Sequence, residues 1–262
     1  MIPTDQADPV QDSRCTPTIP QASRSGTLII FQDLVPFPHA WVFQQRLHAE
    51  RVSGTRADTL VLLEHLPVYT VGRRTKSVHL RRGEAALRAT GAAIEPVNRG
   101  GSITYHGPGQ LVGYPILTLT QYASGPKAYV RLLEDVLIAT LASAGITGDR
   151  MAHKPGVWTR SDRGMAKVAS IGVRVEHGVT LHGFALNVDL NLSPFALIVP
   201  CGLEECETTS MAEIMHAPIS LPLIARQVAT AFSSVFHLVW ESPSADIQNS
   251  HRWQHHSVKE EG

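Results

Sequence analysis

Two side chains of this sequence could share one piece of chemistry: Cys201, set between Pro200 and Gly202, and Lys167, which heads the run Lys167-Val-Ala-Ser-Ile-Gly-Val-Arg-Val175. A cysteine flanked by proline and glycine lies at a turn of backbone, where a sulfur can be presented to a pocket. A thiolate is the strongest nucleophile among ordinary side chains. A free thiol titrates near about 8.5 and a free lysine near about 10.4, so a thiol–lysine pair at neutral pH is mostly thiol and ammonium. An adjacent ammonium stabilises the thiolate, and one unit of pKa is worth about 1.4 kcal/mol. The ammonium can also protonate a leaving group, and the amine left behind can accept a proton from an incoming nucleophile. One such pair therefore serves both halves of an acyl transfer. Strand alternation puts Lys167 on the face of Ala169, Ile171, Val173 and Val175. A lysine among apolar neighbours is costly unless it is paired or sits at an open strand end. It either reaches solvent from the first strand position or lines a cleft.

Two further segments could build a pocket around such a pair. In Arg99-Gly-Gly-Ser-Ile-Thr-Tyr-His-Gly-Pro-Gly-Gln110, four glycines and a proline preclude a regular helix. They let backbone N–H groups approach a ligand closely. The segment has neither a Gly-Lys-Ser/Thr ending nor a GxGxxG pattern, so it carries no nucleotide fingerprint. In Leu181-His-Gly-Phe-Ala-Leu-Asn-Val-Asp189, Gly183 interrupts a β-rich run, as Gly172 does in the run before it. Interior strand glycines mark a bulge, a close ligand or tight strand packing. His106 and His182 are the histidines in these segments, each readable as a structural residue or as a proton carrier.

These segments need a scaffold, and the pattern supplies one. Thr27–Phe31 reads as a strand, Pro38–Val52 as a helix ended by Gly54, and Asp58–His65 as a buried strand bounded by Pro67. A short helix over Gly83–Thr90 and a strand near Ile94–Val97 precede the glycine-rich segment, and an apolar strand over Leu111–Leu119 follows it. Apolar residues at 130, 133, 137 and 141 predict a helix over Lys127–Ala144, stopped by Gly145. Val168–Val175 and Val179–Val188, separated by Glu-His-Gly, read as a hairpin, and Leu221–Val239 as an amphipathic helix. Strands and helices mix without strict alternation, which predicts an α+β fold with a mixed sheet packed against helices. No repeat or linker interrupts 27–240, predicting one domain there. Residues 1–26 read as a disordered extension and 241–262 as a polar tail.

Composition narrows the function classes. The chain of 262 residues is 43% hydrophobic and 18% charged, as in ordinary globular proteins. Its net charge of zero gives no support for nucleic-acid binding. No apolar run approaches the roughly 18 residues of a membrane span. The polar, acid-bearing first 26 residues fit neither a secretory signal nor a mitochondrial presequence. Three cysteines, Cys15, Cys201 and Cys206, suit a reducing cytoplasm better than a disulfide framework, and their spacing suggests no metal site. One local charge imbalance stands out: Arg73, Arg74, Lys76, Arg81 and Arg82 fall within ten residues that hold no acid. This run is either a solvated face or a docking patch for an acidic partner.

Taken together, the motifs resemble the bacterial octanoyltransferases of lipoate biosynthesis, the lipoyl(octanoyl) transferases. The resemblance rests on Glu64-His-Leu-Pro-Val-Tyr-Thr-Val-Gly-Arg73, on Arg99 through Pro115, on Lys167 through Arg174, on His182 through Asp189 and on Pro200-Cys201-Gly202, and it spans roughly residues 28–240. It implies a catalytic domain like that of the biotin and lipoate protein ligases, with Cys201 as nucleophile and Lys167 as its activating partner. It carries acyl-substrate contacts onto Arg99, Gly100, Gly101, Ser102, Ile103, Thr104, Tyr105 and His106, onto Ser170, Ile171 and Gly172, and onto Gly183, Phe184 and Ala185. Ser170 and Phe184 depart from the residues usual there, commonly alanine and leucine. The implied donor is octanoyl-acyl carrier protein, and the implied acceptors are lipoyl domains of 2-oxoacid dehydrogenases and the glycine cleavage H protein. The reaction would need no cofactor, ATP or metal. Competing readings are a lipoyl-domain amidotransferase, an ATP-dependent lipoate or biotin ligase, and a non-catalytic acyl-chain binding protein.

Overall fold

A computed structural model describes residues 24–162, 164–202 and 207–241, with Cys201 described by its backbone. The elements follow in the order β1 (Arg24–Val35), α1 (Phe37–Val52), β2 (Asp58–His65), β3 (Val68–Val71), α2 (Gly83–Arg88), β4 (Ala93–Pro96), β5 (Thr104–His106) and β6 (Gln110–Ile116). Then come α3 (Pro126–Ser143), β7 (Gly148–Met151), β8 (Lys154–Ser161), β9 (Gly164–Glu176), β10 (Val179–Asn187), α4 (Met211–Met215), α5 (Leu221–Phe236) and β11 (Leu238–Glu241). Eight strands form one sheet in the order β11-β1-β2-β6-β10-β9-β8-β7, and β4-β3-β5 form a smaller one. In the large sheet β1 runs parallel to β2 and β11, and the other neighbours are antiparallel. The fold is α+β with a mixed sheet.

The large sheet is covered on both faces, which explains why β2 reads as a continuous apolar run. Leu60 and Leu62 pack with α3 and α5, while Val61 and Leu63, one residue out of phase, pack with α1. The three long helices each carry proline in their first two positions, where the missing N–H has no intrahelical partner to lose. A third cluster, formed by Tyr69, Leu87, Ile103, Tyr105, Phe195 and Ile198, fills the space around the small sheet. The β9–β10 hairpin turns on His177 and Gly178, both with positive φ (49° and 76°), as a two-residue turn matched to strand twist requires.

Several boundaries differ from the sequence reading. Strand β1 begins at Arg24, inside the expected extension, because Arg24 to Thr27 pair with Leu238 to Glu241 of β11. Residues 1–23 and 242–262 lie outside the described residues. The helix expected to run to Val239 ends at Phe236, where His237 adopts left-handed backbone (φ 52°) and caps it by donating its N–H to Ser233 O. The chain then leaves as β11. Part of the glycine-rich segment is strand: β5 pairs antiparallel with β3 through Tyr105–Tyr69 and Thr104–Thr70. β3, β7, β8 and α4 carry no clear local sequence signal, being short or, for β8, carrying Pro155 and Gly156 near its start.

Candidate active site

A cavity of about 530 Å³ opens where the 99–106 segment, β9, β10 and the Pro200–Gly202 turn converge. Among the expected site residues, Arg99, Gly100, Gly101, Ser102, Thr104, His106, Lys167, Ser170, Ile171, Gly172, Gly183, Phe184 and Ala185 line it. Ile103 and Tyr105 do not. Alternation along the strand turns them into the third core cluster, where Tyr105 packs 5.1 Å from Tyr69 and edge-on to Phe195.

The 99–106 segment is held by its own polar groups. Gly100 N–H donates to Val173 O on β9, and Arg74 N–H donates to Gly101 O. The buried Arg99 guanidinium donates to Gly100 O, Ser102 O, Thr70 O and the Thr70 hydroxyl. It knits the segment to β3. Gly72 is needed where these strands meet, since a Cβ there would lie 2.6 Å from Gly101 O.

From Thr70 a chain of hydrogen bonds crosses the wall. The Gln110 amide donates to Tyr105 O and Asn187 Oδ1, so its oxygen accepts from His106 Nδ1 at 2.6 Å, leaving Nε2 to accept from the Thr70 hydroxyl. Asn187 then donates to Thr209 O, and Thr209 N–H donates to Lys167 O at 3.0 Å. Both ring nitrogens of His106 are thus engaged within the wall. Burial, with His65 as the next cause, holds its pKa well below the usual imidazole range. Behind it, His65 Nδ1 donates to Val35 O and Nε2 accepts from the Tyr114 hydroxyl, and burial pushes His65 down to about 4. His182 is also neutral, lowered to about 3 by burial and the nearby Arg99 charge. Its ring stacks on Trp41 at 5.0 Å and contacts Asn98 Oδ1 at 2.7 Å, and its backbone is left-handed (φ 57°), an uncommon conformation for a non-glycine residue.

Lys167 does not reach solvent. β9 starts three residues earlier, at Gly164, so Lys167 is an interior strand residue and only 2% exposed. Its ammonium donates to Pro155 O at 3.0 Å and lies 4.7 Å from the centre of the Trp158 ring. A carbonyl and an aromatic face stabilise a cation without neutralising it. Gly156 (φ 115°) permits this packing, because a Cβ there would lie 2.4 Å from Ala169 O. The backbone turn Pro200–Gly202 carries Cys201 at the cavity edge, with Gly202 among the lining residues; the Cys201 side chain lies outside the described residues.

Sequence reasoning missed several lining residues: Arg74, Lys76 and His79 of the basic run, and His153, Lys154 and Pro155 at the β7–β8 turn. The basic run carried a signal, its lack of acids, but nothing local placed it at a cavity. No acidic side chain appears among the described lining residues. Among the described residues no group of three or more His, Cys, Asp or Glu is placed to hold a metal ion, and no helix is long and apolar enough to cross a membrane.

Residues 36–233 match the family described as lipoyl protein ligase A/B catalytic domain. An octanoyltransferase of Chloroflexus aurantiacus is 45% identical over 206 residues, covering 78% of this chain and 91% of that protein. One from Gloeobacter violaceus is 44% identical over 210 residues, covering 80% and 90%. Among solved structures, a bipartite lipoate protein ligase from Thermoplasma acidophilum superposes with a TM-score of 0.65 at 13% identity, over 87% of this chain and 91% of that one. A lipoate-protein ligase A bound with ATP gives 0.61 at 12% identity, over 87% and 93%, and both show the shared fold. The chain therefore belongs to the lipoyl protein ligase A/B catalytic family, within its octanoyltransferases, and is an acyltransferase of protein lipoylation.

Proposed function

We propose that the chain moves an octanoyl group from octanoyl-acyl carrier protein to the target lysine of a lipoyl domain through a thioester on Cys201. The observation that carries this reading is the buried ammonium of Lys167 on the same cavity as the Pro200–Gly202 turn. The Cys201 thiolate attacks the donor thioester carbonyl, forming a new C–S bond. The tetrahedral intermediate collapses by breaking the donor C–S bond, and the departing thiolate takes a proton from Lys167. The acceptor lysine amine then attacks the acyl-cysteine. A C–N bond forms, the C–S bond to Cys201 breaks, and the amine proton passes to neutral Lys167. Thiolate and ammonium are restored, and an amide replaces a thioester, so the balance requires neither ATP nor metal.

Backbone N–H groups of the 99–106 segment are the candidates for binding the oxyanion. The apolar lining formed by Phe37, Val112, Val130, Ile171, Phe184 and Ala185 suits an alkyl chain. Arg73, Arg74, Lys76, Arg81 and Arg82 are exposed, and Arg74 and Lys76 stand on the cavity rim, where they suit an acidic carrier protein or lipoyl domain. A thiol nucleophile and a carrier-protein donor are consistent with a reducing cytoplasm. Lipoyl domains of 2-oxoacid dehydrogenases and the glycine cleavage H protein are the acceptors on this reading.

Intact-mass spectrometry after mixing the protein with octanoyl-acyl carrier protein tests it. An octanoyl adduct formed without ATP, absent in Cys201→Ser and discharged by a lipoyl domain, is the expected result. Absence of the adduct together with ATP-dependent modification of the lipoyl domain would replace the transferase with a ligase.

A further inference from the structure

The segment Lys76–Arg82 does more than carry charge, because its backbone braces the turn that holds Cys201. Val199 N–H donates to His79 O at 2.8 Å, Arg81 N–H donates to Leu197 O at 3.0 Å, and Leu80 forms an antiparallel bridge with Ile198. The residues directly before Pro200-Cys201-Gly202 are thus held as a short strand edge. Gly202 N–H closes the turn on Val199 O at 3.0 Å.

The His79 side chain adds a second hold. Its Nδ1 lies 3.2 Å from Lys76 N and 2.6 Å from the Ser102 hydroxyl. A backbone N–H can only donate, so Nδ1 is an acceptor, and the Ser102 hydroxyl donates to it as well. The ring proton is then on Nε2, and the ring cannot flip without losing both bonds. The Cε1–Nε2 edge faces the turn: a methyl built on Gly202 (φ 73°) would lie 3.2 Å from Cε1 and 3.4 Å from Nε2. His79, Ser102, Gly202 and Lys167 all line the same cavity.

We propose that His79 is a positioning residue for the nucleophile, its ring fixed by Lys76 N–H and Ser102 O–H and its edge setting the Pro200–Gly202 turn so that Cys201 faces the donor thioester. This rests on the reading of Cys201 as nucleophile. Ser102 then acts on the turn through His79, in addition to lining the cavity.

Single-turnover acylation by octanoyl-acyl carrier protein, followed by peptide mass spectrometry of Cys201, tests the proposal. His79→Ala lowers the maximal acylation rate about 10- to 100-fold, the range expected when a reacting group is slightly misplaced, while half-saturation by the donor moves less than about twofold. His79→Asn, whose oxygen replaces the Nδ1 acceptor, recovers part of the rate; His79→Phe, which keeps the ring and loses the acceptor, does not. Ser102→Ala, which leaves the backbone brace intact, slows acylation several-fold, and its effect is not additive with His79→Ala. Acylation of His79→Ala at the wild-type rate overturns the proposal. So does a pure change in half-saturation, or, should His79→Ala not fold, a wild-type rate in Ser102→Ala together with equal rates for the Asn and Phe variants. Failure of the wild-type protein to form a Cys201 adduct would instead sink the nucleophile reading on which the proposal stands.

Discussion

The cavity has a rim and an inner wall that handle charge in opposite ways. At the rim, Arg74 and Lys76 are exposed and Lys154 is half-buried, with no acid among the described lining residues. Inside, Phe37, Val112, Phe184 and Ala185 are buried, and the imidazoles among them, His106 and His182, are held neutral by burial. Exposed cations act over distance, are screened by salt and suit the recognition of an acidic protein. A neutral wall reads shape, since an alkyl chain offers little else. Two buried cations belong to neither class: Arg99, whose guanidinium is spent on Gly100 O, Ser102 O and Thr70, and Lys167. Lys167 is as buried as the wall yet carries an ammonium, held by Pro155 O and the Trp158 face.

Of the two, Lys167 yields the largest expected effect. Lys167→Met keeps much of the packed volume and removes the proposed proton donor and acceptor. Turnover should fall by about 10²- to 10⁴-fold, as general acid–base groups contribute, while the fold survives. Steady-state kinetics with circular dichroism checks this, and a loss under tenfold would class Lys167 with the wall.

Phe184 tests the wall as a reader of shape. Its ring lies over Gly113 on the neighbouring strand, where a Cβ would sit 2.1 Å from the ring, so the glycine leaves the space the aromatic fills. Phe184→Ala should cost about 3–5 kcal/mol in denaturant unfolding, the usual range for a buried phenylalanine. It should also raise the rate with decanoyl or dodecanoyl donors relative to octanoyl. An unchanged chain-length ratio in a folded variant would mean the chain is measured elsewhere.

The neutral imidazoles predict an acid-sensitive fold. His65 and His182 sit at about 4 and about 3 in the folded protein, below the value of 6.5 for an unperturbed histidine. The unfolded chain therefore binds protons first. Their stabilising contribution is complete above about pH 6.5 and is lost as pH falls toward the folded values, at about 1.4 kcal/mol per pH unit for each imidazole. Thermal unfolding from pH 8 to pH 4 should show this decline, and His65→Gln should flatten it. A parallel decline in the variant would assign the effect to other groups.

The rim gives the smallest effect. Arg74→Glu with Lys76→Glu should lower kcat/KM for octanoyl-acyl carrier protein about tenfold at low salt, and the deficit should close as salt rises. Unaltered kinetics at low salt would leave these cations as a solvated face.

Much of the scaffold was legible because its signals are local. The amphipathic spacing of α3 and the His-Gly turn of β9–β10 each act within a few residues. The α5–β11 boundary was hidden because a histidine, not a glycine, takes the left-handed position, and because β11 exists through pairing with β1, more than two hundred residues earlier. In the 99–110 segment, composition masked a strand whose partner, β3, is itself only four residues long. The expected contacts over 99–106 treated the run as one surface, whereas alternation sends Ile103 and Tyr105 into the core. His79 stayed unnoticed because its neighbours, Ser102 and Gly202, meet it only in space.

By itself the sequence determined the residue types able to carry acyl transfer and the family to which they belong, since motif chemistry and order are properties of the chain. The tertiary structure decided where those residues face. It buried Lys167 against Trp158, neutralised His106 and His182, set Arg74 and Lys76 at the rim and braced the Cys201 turn with His79. Each of these depends on desolvation or on contacts between distant segments, and neither quantity exists until the sheet has assembled.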